Sequence, residues 1–388
     1  MITIILLIII YMTFISLGLP DAVLGVSWPE MRLDFGLELD TIGYISIIIT
    51  IGTVISSLLS GYFINKLGTG KVTLFSVLLT ALALLGIYFI PSFYWLILFA
   101  LPLGLGAGSI DTALNNYVAL NYKAHHMNWL HSFWGVGATL GPIIMSVTLL
   151  SSGWRDGFLT IAIIQSSFFF VILVTLPLWK KAEQKNKKDV IETIKIKPVN
   201  IIKTKGVLVS ISIFIVYCAL EFSIGLWGSS YLVISRDFAS ANAAKIIAFY
   251  YGGITIGRFI SGFLSFKLSN RRMIYIGIFI VFIGGILINV NLPTNLTFIP
   301  FSIIGLGLSP IFPAMIHETP VSFGKDKSQY IIGYQMAGAY IGGTLFPPIF
   351  GVIARHTTIN IFPFYLFGLG IILLLLVNTL YIKIKPQT

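Results

Sequence analysis

The few ionisable and amide side chains of this sequence fall at intervals that suit reversible protonation and the recognition of hydroxyl groups. Asp21 follows Pro20, whose ring removes one helical donor and frees nearby backbone groups, so a carboxylate there can take up and release a proton. The plainer alternative is a cap on a helix break. Asp111 and Asn115 are one helical turn apart and share a face, while glycines at 104, 106 and 108 allow another helix to come close. A carboxylate and an amide together supply the acceptors and donors that match the alternating hydroxyls of a sugar; the same pair can also clasp two helices. His131 and Trp134, three residues apart, share a face as well. Histidine can switch protonation and an indole gives a flat apolar platform of the kind a pyranose ring stacks on, although a lone helical histidine is often simply packed.

Later in the chain, Glu221 is followed on a helical path by Trp227 and Tyr231, four residues apart on one face, and Tyr334 with Gln335 adds further polar groups. Tryptophan and tyrosine also gather at membrane interfaces, so an aromatic wall and interfacial anchoring both remain open for them. Arg258 lies nine residues before Lys267 within an apolar stretch and requires an anionic partner, for which Glu221 is the nearest candidate.

These residues must be carried by elements that live in lipid. Hydrophobic residues make up 56% of 388 positions and charged residues 10%, which a soluble domain of this length would not tolerate. A hydrocarbon core of about 30 Å needs roughly 20 apolar helical residues. Twelve stretches qualify: 2–27, 41–64, 72–90, 94–122, 128–152, 157–179, 207–235, 241–265, 273–291, 296–322, 327–354 and 359–382. The first has no basic residue before it and no small-residue cleavage site after it, so it is read as a span and not as a signal peptide. The net charge of +11 gathers in alternate loops, at Lys66, Lys71, Lys123, the cluster from Lys180 to Lys205, Lys267, Arg271, Arg272, Lys325, Lys327, Lys383 and Lys385. That pattern argues against a nucleic-acid partner and places both termini and the long middle loop in the cytoplasm. Cys218 is the single cysteine, so no disulfide or cysteine zinc site is expected.

A repeat at an offset of 201 residues runs through three helix pairs. Gly52, Ser60, Gly61, Lys66 and Leu67 recur as Gly253, Ser261, Gly262, Lys267 and Leu268; Gly104, Leu105, Gly106 and Ile110 as Gly305, Leu306, Gly307 and Ile311; Gly137 and Gly141 as Gly338 and Gly342. The expected architecture is an all-α membrane protein of two pseudo-symmetric six-helix bundles, at 1–179 and 207–388, joined by a basic cytoplasmic linker at 180–206. Both bundles have the same orientation, since six is even. Extended to helix seven, the offset brings Glu221 within one position of the counterpart of Asp21.

Two such halves, the basic middle loop and the segment Gly61 to Lys71 (GYFINKLGTGK) resemble the major facilitator superfamily over essentially the whole chain. The family's loop signature has an aspartate at the place of Asn65, whereas Lys66, Gly68 and Lys71 remain; the loop then implies gating and topology through Lys66 and Lys71, with Gly61 permitting a close helix contact. Arg258, Arg271 and Arg272 are grouped with them as gating or structural cations. Within the superfamily, Gly18 to Met31, Gly104 to Leu120 and Asn128 to Pro142 look like the fucose-permease group of sugar:proton symporters. That resemblance implies that Asp21 and Asp111 are coupling or sugar-binding acids, although the type member of the group has a glutamate at the place of Asp111.

The expected function is proton-coupled symport of a small sugar or polyol by alternating access, in a multi-pass protein of the cell membrane acting as a single copy in the lipid bilayer. Asp21, Asp111 and Glu221 are the expected proton carriers. The substrate contacts are expected from Asp21, Asp111, Asn115, His131, Trp134, Glu221, Trp227, Tyr334 and Gln335. No metal and no cofactor are implied beyond the proton as coupling ion. The competing expectation is a proton antiporter exporting lipophilic compounds, suggested by Gly137, Gly141 and Pro142. An enzyme is excluded on motifs: His317-Glu318 lacks the second histidine of a zinc-protease helix, and Gly68 to Lys71 is followed by Val72 where a phosphate-binding loop needs Ser or Thr.

Overall fold

A computed structural model describes residues 2–122, 124–186 and 201–384; the middle of the basic linker, Lys123 and Lys385 lie outside the described residues. Fourteen α-helices account for almost all of it, and among the described residues there is no strand. The helices are α1 Ile2–Gly18, α2 Val23–Asp34, α3 Thr41–Leu67, α4 Thr69–Tyr88, α5 Phe93–Asn121, α6 Ala124–Ser151, α7 Trp154–Asn186, α8 Val207–Arg236, α9 Ser240–Leu264, α10 Asn270–Leu287, α11 Phe298–Leu308, α12 Ile311–Phe323, α13 Lys325–His356 and α14 Phe362–Lys383. They form twelve segments long and apolar enough to cross a membrane, the number expected from the sequence. Two of the twelve are broken. The first is α1 and α2 with a turn at 19–22, where Pro20 cannot continue the ladder, and the tenth is α11 and α12 with a turn at Ser309–Pro310.

The chain divides into two compact units, Met1–Glu192 with Asp237–Ala248, and Thr193–Arg236 with Phe249–Thr388. The beginning of α9 belongs to the first unit because it is bonded there. The Ser240 hydroxyl donates to Glu30 Oε1 at 2.6 Å, and the Ser146 hydroxyl donates to the Ala241 carbonyl at 2.7 Å. The core of the first unit gathers Leu6, Ile10, Phe14, Leu114, Leu130 and Ile172, all fully buried. Large exposed hydrophobics such as Leu58, Phe63, Leu150, Val174, Phe263 and Phe279 stand outside the cores, as lipid-facing residues should.

Inside each unit the helices touch backbone to backbone at glycines, and the contacts repeat. A Cβ on Gly52 would lie 2.7 Å from the Leu101 carbonyl, and Gly253 meets the Ser302 carbonyl, 201 residues on. Gly104 packs on Ile49 and Gly305 on Tyr250; Gly106 packs on Ser76 and Thr80, and Gly307 on Gly277 and Val281, each at that same offset. Close approach of this kind replaces the hydrophobic drive that lipid does not supply.

Two expectations change. Gly61 and its repeat partner Gly262 face open space, with nothing within 4 Å of an added Cβ, so neither mediates a helix contact. The helices α1 and α8 also do not follow the 201 register. Gly137 meets the Ile15 carbonyl and Gly141 the Leu19 carbonyl, whereas Gly338 meets Ile211 and Gly342 meets Ile215. The offset there is 196, the difference between 211 and 15 and between 215 and 19. The counterpart of Asp21 is therefore Tyr217, and Glu221 stands one turn beyond it. The 201 register came from other helices, and the connections between helices absorb the five-residue difference.

Candidate polar sites within the two units

In the first unit, α1 is pressed onto α6. A Cβ at Gly18 would strike the Trp134 carbonyl and lie 2.8 Å from the Ala138 nitrogen, and Gly137 and Gly141 face the Ile15 and Leu19 carbonyls. That contact brings Trp134 beside the turn at 19–22, and its indole Nε1 donates to Asp21 Oδ2 at 2.6 Å, the short length of a charge-assisted bond. Asp21 itself is exposed, on a turn closed by hydrogen bonds from its own N–H to the Gly18 carbonyl and from the Val23 N–H to the Pro20 carbonyl. It thus joins an ionisable oxygen to an aromatic plate, two of the expected site residues in direct contact.

Asp111 and Asn115 also meet, but within α5. Asn115 Nδ2 donates to Asp111 Oδ1 at 2.8 Å and to the Asp111 carbonyl at 2.9 Å, and both residues are half-buried. His131 is half-buried and points edge-on at Phe14, with ring centroids 5.9 Å apart and planes at 87°. Five residues earlier on α6, His126 Nδ1 is bonded to the Tyr11 hydroxyl at 2.7 Å, and Tyr11 stacks on Phe133.

The second unit holds its acid differently. Glu221 Oε1 lies 3.7 Å from Arg258 Nη2, with side-chain exposures of 8% and 13%, so the cation foreseen as needing a partner has this one. The Tyr250 hydroxyl donates to the Glu221 carbonyl at 3.2 Å. Tyr217, fully buried, lies one helical turn before Glu221 on the same face of α8.

Other expected contacts are occupied by packing. Trp227 is fully buried and its indole donates to the Pro347 carbonyl at 2.7 Å, while its ring lies against Phe350. Gln335, also fully buried, donates to the Ser210 hydroxyl at 2.6 Å and meets the Thr319 hydroxyl, tying α13 to α8 and α12. Neither presents a free surface to a solute. Tyr334 is half-buried against Ile201, Val207 and Ile331. Lys66, Lys71, Arg271 and Arg272 are exposed at helix ends, with Lys66 over the Tyr62 ring and Arg271 4.5 Å from the Tyr381 ring centre. Among the described residues, no three His, Cys, Asp or Glu side chains cluster as a metal ion would require.

Sequence reasoning passed over Gln165. It is fully buried on α7, its Nε2 donates to the Ser16 carbonyl at 2.7 Å, and its Oε1 accepts from the Ser16 hydroxyl. A lone amide inside an apolar span is the signal that could have drawn attention to it.

The model of the Major Facilitator Superfamily matches residues 4–328. The glucose/mannose transporter GlcP of Bacillus subtilis is 23% identical over 368 residues, covering 90% of this chain and 88% of its own length. Bypass of stop codon protein 6 of Saccharomyces cerevisiae is 22% identical over 387 residues, covering 90% of this chain and 77% of the relative. Among solved structures, the crystal structure of a D-xylose-proton symporter superposes with a TM-score of 0.74 at 13% identity, covering 98% of each chain.

Proposed function

The chain belongs to the major facilitator superfamily of membrane transporters, and we propose that it carries a small sugar or polyol in symport with a proton, Asp21 being the group that takes up the proton. The observation that carries this reading is the Asp21 carboxylate, exposed at a helix break within a membrane-spanning segment and bonded by Trp134. Taking up a proton removes the charge of this carboxylate and so changes which conformations the chain favours. The Trp134 N–H donates strongly to the carboxylate and weakly to the neutral acid, so protonation also loosens α1 from α6 at this point. A sugar is the substrate class that the polar groups suit: Asp111 with Asn115 offers acceptors, and Trp134 offers an apolar plate. The GlcP relative, a glucose/mannose transporter by name, supports the same class. By the bias of basic residues, both termini lie in the cytoplasm. Gly137 and Gly141, which with Pro142 suggested an exporter, seat α6 on α1.

The test uses purified protein in proteoliposomes with an imposed proton gradient. A thermal-shift screen of monosaccharides and disaccharides first identifies the ligand, since a solute that binds the folded state raises its melting temperature. Asp21→Asn is then expected to abolish proton-driven accumulation of that sugar while retaining exchange down its own gradient. Unaltered accumulation in Asp21→Asn sinks the assignment.

A further inference from the structure

In a regular helix the carbonyl of residue 16 accepts from the N–H of residue 20, and residue 20 here is Pro20, which has no N–H. The Ser16 carbonyl is thus orphaned by the same residue that creates the turn carrying Asp21. An orphaned carbonyl at this depth has no water to turn to and costs free energy of the order of a lost hydrogen bond. Gln165 stands where the missing donor would be. Its Nε2 donates to that carbonyl at 2.7 Å, and its Oε1 accepts from the hydroxyl of the same Ser16, so both ends of a fully buried amide are engaged by one residue of α1.

We propose that Gln165 is a positioning residue for Asp21: it supplies from α7 the donor that Pro20 removes from α1, and thereby holds open the turn that presents the Asp21 carboxylate to Trp134. The neighbouring contacts agree with this role. Up to Gly18 the chain is helical, and Leu19 still donates to the Ile15 carbonyl. Beyond that the ladder changes, with Asp21 donating to Gly18 and not to residue 17. Ser16 is therefore close to the last point at which α1 can be anchored before the turn, and Gln165 anchors it to α7 while Trp134 fixes Asp21 to α6. A hinge with one side pinned by a proton-insensitive amide and the other held by a bond to an ionisable carboxylate responds to proton loading on one side only. This inference rests on the coupling role proposed for Asp21, but its geometry does not depend on which solute is carried.

Two measurements on the full-length protein in detergent test it. In a melting-temperature cycle, Gln165→Leu is expected to lose several degrees in the native background and clearly less in the Pro20→Ala background, where the N–H at position 20 can serve the Ser16 carbonyl. Equal losses in the two backgrounds overturn the inference. In the second measurement the protein is labelled with 5-fluorotryptophan, and the Trp134 fluorine resonance is assigned by its absence in Trp134→Phe. Asp21→Asn is expected to shift that resonance, and Gln165→Leu to move it in the same direction; a Trp134 signal unmoved by Gln165→Leu overturns the positioning role even if stability falls. Failure of proton-driven accumulation to depend on Asp21 would refute its coupling role and leave these two results to decide whether Gln165 positions it.

Discussion

Breaking the Glu221–Arg258 pair should cost the second unit far more than removing it entirely. The two charged groups are 3.7 Å apart with side-chain exposures of 8% and 13%. At an effective dielectric constant near 20, Coulomb attraction over that separation is about 4 kcal/mol, most of which offsets the desolvation of the two ions. Arg258→Met leaves Glu221 buried beside Tyr217 and Tyr250 without its cation, and Glu221→Gln removes the carboxylate that faces the guanidinium. Each single change is expected to destabilise by about 3–5 kcal/mol, whereas the double variant Glu221→Gln with Arg258→Met should stay within about 1 kcal/mol of the native protein. For a unit of this size that is roughly 6–20 °C of melting temperature for either single variant. Fluorescence-detected melting of detergent-solubilised protein, with size-exclusion recovery as a second readout, measures all four corners of the cycle. Single variants that melt with the native protein, or a double variant that loses the sum of both, would refute the claim that the pair acts as one neutralised unit.

The glycines separate into two classes with opposite predictions. Gly52→Ala should lower the melting temperature, because its Cβ would sit 2.7 Å from the Leu101 carbonyl, whereas Gly61→Ala, facing open space within α3, should leave stability unchanged or raise it by up to about 1 kcal/mol of helix propensity. Trp227→Phe removes the donor to the Pro347 carbonyl and is expected to cost about 1–2 kcal/mol of stability while leaving sugar affinity within twofold. A large loss of affinity in a well-folded Trp227→Phe would place that ring in the substrate path.

Much of the fold can be read from the chain because lipid imposes a simple rule. Each span must satisfy its own backbone, so twelve apolar stretches become twelve spanning segments, and Pro20 breaks the first of them. The glycine repeat marks true backbone contacts for α3 with α5 and for α9 with α11, since only glycine admits a carbonyl at that distance. It misleads at α1 and α8, where no matched residues had been seen and the actual shift is 196. It also misleads at Gly61, because a glycine allows close approach without requiring it. The site was legible in residue type and less so in partnership. Asp21 and Trp134 meet although they are 113 positions apart, while Trp227 and Gln335, equally polar in sequence, spend their hydrogen bonds on Pro347, Ser210 and Thr319. Gln165 was missed because its importance arises from Ser16, 149 positions away, and from a donor that Pro20 lacks.

The corrected register explains why the two related units do not share the chemistry equally. At equivalent places, α1 carries Asp21 on a turn, whereas α8 runs unbroken from Val207 to Arg236 and carries Tyr217, with its acid one turn further along. Glu221 faces a buried cation, so a proton added to it would weaken its attraction to Arg258. Asp21 faces an indole N–H, which can donate to a carboxylate or to the carbonyl oxygen of the neutral acid, so the contact does not forbid the proton. The two acids therefore sit in different surroundings, Asp21 against a neutral donor and Glu221 against a cation, and the Asp21→Asn and Glu221→Gln variants compare their parts in proton-driven transport. The ion pair in the second unit ties α8 to α9.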